Sequence, residues 1–216
     1  MTDGSTSLTA FQIEVARLFF TLDGSERFVL AGGAALAAHG LIRRQTRDLD
    51  LFTSGADASV EAIAESLAAA LAAADCEVSV TRSSPTFTRL HVSTNDEELE
   101  IDLCVDAPAI DKPSMTFIGP TYAPNELAVR KLLALFARAL PRDFADIWAL
   151  TKDGGFSELV AQAPLHDPGF DKLVLAEMIG ALNNFSDDRI PVNPKDVPAL
   201  REFFHRSVAD LSLIHI

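Results

Sequence analysis

The sequence predicts a half built of mixed α and β elements, a mixed sheet flanked by helices, followed by a wholly helical half. Three observations predict it. Apolar residues switch between helix spacing and strand spacing as far as Val105. Prolines at 108, 113, 120 and 124 then interrupt the pattern. Every later apolar stretch has helix spacing only. A boundary near Tyr122 follows, with units 1–122 and 123–210. No internal repeat is visible.

The elements follow in order. Residues 9–22 carry Phe11, Ile13, Val15, Ala16, Phe19 and Phe20 on helical spacing and stop at Asp23-Gly24. Residues 28–31 form a short buried strand. Residues 34–39 form a short helix stopped by Gly40. Residues 48–52 alternate carboxylate and apolar side chains, the strand period. Residues 60–74 are Ala-rich but carry Glu61 and Glu65, and read as an amphipathic helix. Strands are expected at 76–80, 87–92 and 99–105, with the polar 94–97 as a hairpin turn. An edge strand is expected at 115–118. Helices are expected at 125–139, 142–152, 156–161, 170–183 and 197–210.

Composition narrows the function classes. The formal net charge of −13 argues against a broad non-specific nucleic-acid surface. The basic residues cluster locally: Arg43, Arg44 and Arg47 in one loop, and Arg130, Lys131, Arg138 and Arg142 on a later helix pair. No apolar run approaches the roughly 18 residues of a membrane span, and MTDGSTSLTA is not a secretory signal. A cytoplasmic protein without a membrane partner is expected. Cys76 and Cys104 read as small buried hydrophobes in a reducing compartment. The final LSLIHI (211–216) matches the translation of a transposase end sequence and is expected to be a non-native tail.

The chemistry concentrates in FVLAGGAALAAHGLIRRQTRDLDLF, residues 28–52. Asp48 and Asp50 lie two apart on a strand, so both side chains leave one face. Such a pair repels unless a cation lies between its members, and a hard divalent ion takes oxygen ligands. Gly32-Gly33 ends one strand and opens a helix, where unpaired backbone N–H groups suit phosphate. A third carboxylate, Asp102, stands in the apolar run LEIDLCV, where a charge needs a reason. Three converging carboxylates would make a two-metal site for phosphoryl or nucleotidyl transfer. Glu100 is either a fourth ligand or an exposed strand-end residue. His39 either contacts phosphate or caps its helix. Arg44 either positions phosphate or pairs with Asp48. Phe136, Phe144 and Trp148 are expected on an apolar face joining the two halves. No Ser-His-Asp, Cys-His or zinc pattern is present.

Gly-Gly-x-Ala-Leu followed by Arg44-x-Thr46-x-Asp48-Leu49-Asp50-Leu51-Phe52 resembles the nucleotidyltransferase superfamily. The nearest branch is the AbiEii/AbiGii-type toxins of bacterial type IV toxin–antitoxin systems. Two later segments extend the likeness: the helix carrying Glu126, Arg130 and Lys131, and Arg142-Asp143-Phe144-Ala145-Asp146. The resemblance covers about residues 28–150. It implies a nucleotidyltransferase fold whose helical half completes the cleft. It implies transfer of a nucleoside monophosphate from a nucleoside triphosphate (NTP) with Mg²⁺ or Mn²⁺, tRNA as an acceptor, and a cognate antitoxin. Asp48, Asp50 and Asp102 would bind metal, with Asp102 also a base for the acceptor hydroxyl. Lys131 would meet the triphosphate as a point charge. Asp143 or Asp146 would orient Lys131 or contact base or ribose. Gly32, Gly33, Ala34, Arg44 and Thr46 would line the nucleotide site. Relatives commonly carry Ser or Thr where this chain has Ala34, and a missing charge-assisted hydrogen bond there would cost about tenfold to a hundredfold in rate. The rival expectations are transfer to a small molecule and a non-catalytic nucleotide-binding module.

Overall fold

The computed structural model describes residues 7–55 and 59–213. The chain forms two compact units, Met1–Pro124 and Asn125–Ile216. The division falls two residues beyond the expected boundary, where the proline-rich linker runs into the first helix of the second unit.

In the first unit, α1 (Ala10–Phe19) begins with a reciprocal cap. Thr9 Oγ1 accepts the Gln12 N–H at 3.1 Å, and Gln12 Oε1 accepts the Thr9 N–H at 2.9 Å. The helix ends before Leu22 because Thr21 and Leu22 donate to carbonyls three residues back, tightening the turn. Strand β1 (Phe28–Ala31) leads directly into α2 (Gly32–Ala38), which starts at the glycine pair rather than after it. The next elements are β2 (Asp48–Thr53), α3 (Val60–Ala72), β3 (Glu77–Ser84), β4 (Phe87–Ser93) and β5 (Glu98–Val105). A short hairpin, β6 (Ser114–Thr116) and β7 (Gly119–Thr121), completes the unit.

These strands form one mixed seven-stranded sheet in the order β3-β4-β5-β2-β1-β7-β6. Strand β2 is parallel to β5 and antiparallel to β1, so it sits near the centre of the sheet. Its residues alternate half-buried and buried, with Leu49 and Leu51 fully enclosed. Burying a leucine contributes about 1.5–3 kcal/mol, which fixes the register and hence the face on which Asp48 and Asp50 emerge. Leu90, Val92, Leu99, Ile101 and Leu103 line the same core.

Two strands differ from the sequence expectation. Strand β3 runs on to Ser84 although its residues are mostly exposed, because it is an edge strand held by its ladder to β4. Strand β7 was hidden by Gly119-Pro120, whose composition reads as linker. Both cysteines are half-buried rather than buried, and neither forms a disulfide. Cys104 shares the strand phase of Glu100 and Asp102, the open face.

The second unit is helical, with α4 (Pro124–Arg138), α5 (Pro141–Thr151), α6 (Phe156–His166), α7 (Lys172–Gly180) and α8 (Val197–Leu213). Helix α6 continues through Pro164, one turn past the expected end, because proline removes only one intrahelical donor. Helix α7 starts later than expected, where Asp171 Oδ1 accepts the Leu173 and Val174 N–H groups, and it decays into 3₁₀ turns over 181–184. Phe144 packs edge-on against Phe204 at 5.1 Å in this unit's own core, with Phe136 and Trp148 against it. The aromatic residues expected to join the halves therefore serve the second unit's interior. Among the described residues, no helix is long and apolar enough to cross a membrane. The expected tail begins within α8, and its residues 214–216 lie outside the described residues.

Candidate active site

The Gly-Gly turn and the Asp pair converge as the sequence predicts. Gly32 adopts φ +62°, the left-handed region that favours glycine. A Cβ built on Gly32 would lie 1.7 Å from Asp50 Oδ2, so the Asp50 carboxylate fills the space that any side chain at 32 would need. A Cβ on Gly33 would lie 2.9 Å from Thr46 Oγ1 and 3.4 Å from Arg44 Nη2. The two glycines thus hold the backbone against Asp50, Thr46 and Arg44 together.

Second contacts orient this group. Thr46 is buried and donates from Oγ1 to Asp48 Oδ1 at 3.0 Å. Its carbonyl accepts a buried hydrogen bond from Gln12 Nε2 at 3.0 Å. Gln12 therefore ties the cap of α1 to the loop preceding β2. Arg44 also donates to the Gln45 carbonyl, while Arg43 and Arg47 are exposed in the same loop. Ala34 has no exposure at all, so the position expected to add a phosphate contact faces protein packing. His39 hydrogen-bonds Thr121 Oγ1 on β7 at 2.7 Å, which gives it a packing and capping role.

Asp102 departs from the expected ligand arrangement. The parallel register sets it directly beside Asp50, and the antiparallel register sets Arg89 beside it on β4. Arg89 Nε and Nη2 donate to the two Asp102 oxygens, each at 2.6 Å. Glu100 is exposed and lies 3.7 Å from Arg89 Nη1, as a strand-end residue rather than part of a metal group. The bidentate hydrogen bond to Asp102 raises the pKa of Arg89 still further above its ordinary value, against desolvation. The charges of Asp102, Glu100 and Asp50 act in the same direction. Among the described residues, no three His, Cys, Asp or Glu side chains are arranged to hold a metal ion. The residues fit a divalent cation at the Asp48–Asp50 pair, whose carboxylates share one face beside the glycine turn. They do not fit an ion that takes Asp102 as a ligand.

The second unit holds its own charged cluster. Lys131 Nζ lies 3.0 Å from Asp146 Oδ2 and 4.0 Å from Asp143 Oδ1, and both carboxylates are fully buried. Asp143 also accepts from Arg138 Nε and Nη2 and from the Leu140 N–H, closing the first turn of α5. Arg130 pairs with buried Glu126 at 2.7 Å, and His166 Nδ1 lies 3.4 Å from the same carboxylate. Arg130 and Arg138, members of the basic cluster seen in the sequence, are therefore paired internally. Asp146 and Asp143 flank Lys131 rather than face outward.

Sequence reasoning missed Arg89 and Gln12. Arg89 was legible in principle: Phe87, Arg89 and His91 share one face of β4, the face in register with Asp102 and Glu100. Gln12 carried only its capping-box spacing from Thr9.

The family model described as nucleotidyl transferase AbiEii toxin, type IV TA system, matches residues 16–206, beyond the motif span of 28–150 on both sides. No curated protein matches the chain. Among solved structures, MenT4, a nucleotidyltransferase toxin from Mycobacterium tuberculosis H37Rv, is 15% identical with a TM-score of 0.51, covering 94% of this chain and 82% of that one. JHP933 from Helicobacter pylori is 17% identical with a TM-score of 0.48, covering 95% and 96%. Identities this low speak to fold alone.

Proposed function

Because this chain belongs to the AbiEii nucleotidyltransferase toxin family of type IV toxin–antitoxin systems, we propose that it transfers a nucleoside monophosphate from an NTP to the 3′ end of an RNA, with tRNA as the acceptor class. In this reading an acceptor hydroxyl oxygen forms a bond to the α-phosphorus. The bond between that phosphorus and the oxygen bridging to the β-phosphate breaks. Pyrophosphate leaves, and the hydroxyl proton passes to a base.

The observation that carries the reading is the contact between Gly32 and the Asp50 carboxylate, with Thr46 holding Asp48 alongside. It sets two carboxylates beside backbone N–H groups where a cation and phosphates can share one place. A divalent ion, Mg²⁺ or Mn²⁺, held by Asp48 and Asp50 would polarise the phosphoryl oxygens and neutralise charge that develops during transfer. Thr46 fixes the Asp48 rotamer, and Gln12 fixes Thr46. Arg44 lies against the glycine turn and positions phosphate. Lys131, held by Asp146, supplies a point charge for the triphosphate. The exposed Arg43 and Arg47 offer an acceptor backbone a local positive patch on an otherwise acidic protein. A cognate antitoxin is the partner that family membership suggests.

The test is incubation with each labelled NTP, Mg²⁺ and total tRNA, comparing wild type with Asp50→Ala. Label entering RNA with wild type alone supports the reading. Label in no acceptor refutes it, and label in a small molecule instead of RNA refutes the acceptor.

A further inference from the structure

We propose that Arg89 is a fixed organic cation standing where a second divalent ion would otherwise neutralise Asp102, so that the chain holds one divalent ion, on Asp48 and Asp50. This inference rests on the metal reading of the Asp pair given above.

Three observations carry it. The first is register: Arg89, Asp102 and Asp50 lie side by side across β4, β5 and β2, on one face of the sheet. The second is the geometry of the pair. Both Asp102 oxygens are taken by a planar fork at 2.6 Å, and Asp102 keeps only 15% of its side-chain exposure. A carboxylate engaged in this way has to lose two charge-assisted hydrogen bonds before it can ligate a metal. The third is that the guanidinium has further neighbours. It lies 5.8 Å over the Phe87 ring, with Glu100 at 3.7 Å from Nη1, and the Arg82 guanidinium lies 5.1 Å from the same ring. Arg89 is therefore placed by a carboxylate, a second carboxylate and an aromatic face, which is more than a surface ion pair needs.

The consequence differs from that of a second ion. A guanidinium cannot be chelated away, exchanged or deprotonated in the working pH range. Its bonds to Asp102 use two of five N–H donors. Of the remaining donors, those on Nη1 lie 3.7 Å from Glu100. Arg89 is a positioning residue in this scheme, and Asp102 holds it in place.

The experiment counts ions rather than products. Purified protein without nucleotide is titrated with Mn²⁺, and bound ion per chain is read by electron paramagnetic resonance for wild type, Arg89→Met, Arg89→Lys, Asp102→Asn and Asp50→Asn. Circular dichroism confirms that each variant is folded, and the double variant Arg89→Met/Asp102→Asn removes both charges if the single Arg89→Met variant unfolds. The expected result is one ion in wild type, Arg89→Lys and Asp102→Asn, and a second ion in Arg89→Met that the double variant loses. Two ions in wild type, or one in Arg89→Met, overturns the inference. An unchanged count in Asp50→Asn would instead fail the Asp-pair reading, and failure to label RNA would not move any of these counts.

Discussion

Replacing Gly32 with alanine tests the geometry of the site, and replacing Gly40 supplies its control. Both glycines have similar positive φ, +62° and +69°. Alanine in that region costs roughly 1–2 kcal/mol through backbone strain alone. At roughly 2–4 °C per kcal/mol for a chain of this size, each variant should lose about 2–8 °C in Tm. The variants differ in what the new methyl meets. At Gly40 there is nothing within 4 Å, whereas at Gly32 the methyl would lie 1.7 Å from Asp50 Oδ2. Cβ atoms keep at least 3.0 Å from such neighbours, so the Asp50 carboxylate has to move by 1.3 Å or more. A displacement of that order in a reacting group costs about a hundredfold in rate. Gly32→Ala should therefore lose about a hundredfold in nucleotidyl transfer while Gly40→Ala, assayed below its Tm, stays within about twofold. The readouts are thermal denaturation and incorporation of labelled nucleotide. Equal activity in the two variants at equal folded fraction would refute the assignment of Asp50 to the chemistry.

Three further predictions concern Thr46, Asp146 and Ala34. Thr46→Val keeps the shape but removes the bond to Asp48 Oδ1; stability should fall by about 0.5–1.5 kcal/mol, and transfer by about tenfold, in urea melts and the same labelling assay. Asp146→Ala leaves Lys131 nearly buried beside a more distant carboxylate, and should cost about 3–5 kcal/mol. The sole tryptophan, Trp148, packs against the second unit's core, so its fluorescence in urea reports that loss directly. Ala34→Ser should bring no gain in transfer, because the position is fully enclosed; a hydroxyl there costs about 1–3 kcal/mol unless it finds a carbonyl. A tenfold gain from Ala34→Ser would show that the hydroxyl reaches phosphate after all.

The legible part of this molecule is the part set by local periodicity. Strand β2 alternates carboxylate and leucine, so its buried face and its acidic face followed from period two alone. Strand β1 and the glycine pair followed from one apolar run and its turn. What stayed hidden depended on ladders and on cross-strand neighbours. Strand β3 is exposed over most of its length and is held by hydrogen bonds to β4, which carry no side-chain signature. Strand β7 contains Pro120, a residue that sequence reasoning assigns to linkers. Asp102 was found because a charge in an apolar strand is conspicuous. Arg89, in the more mixed FTRLHVS, was not, although pairing sets the two side by side. Reading one charge without its cross-strand partner left out the guanidinium that takes both Asp102 oxygens.

The same lesson applies to the cations of the second unit. Lys131, Arg130 and Arg138 read as a basic cluster, with Lys131 as a point charge for a triphosphate. Yet each faces a fully buried carboxylate: Asp146, Glu126 and Asp143 respectively. Burying those carboxylates without partners would cost several kcal/mol each, so the pairing is what allows α4 and α5 to carry them at all. A triphosphate that engages Lys131 therefore does not meet an isolated ammonium. It meets one whose charge Asp146 already half satisfies, at 3.0 Å. Such a lysine discriminates by geometry more than by charge. In the proposed reaction it would stay anchored at one point and lose little conformational entropy on binding an anion.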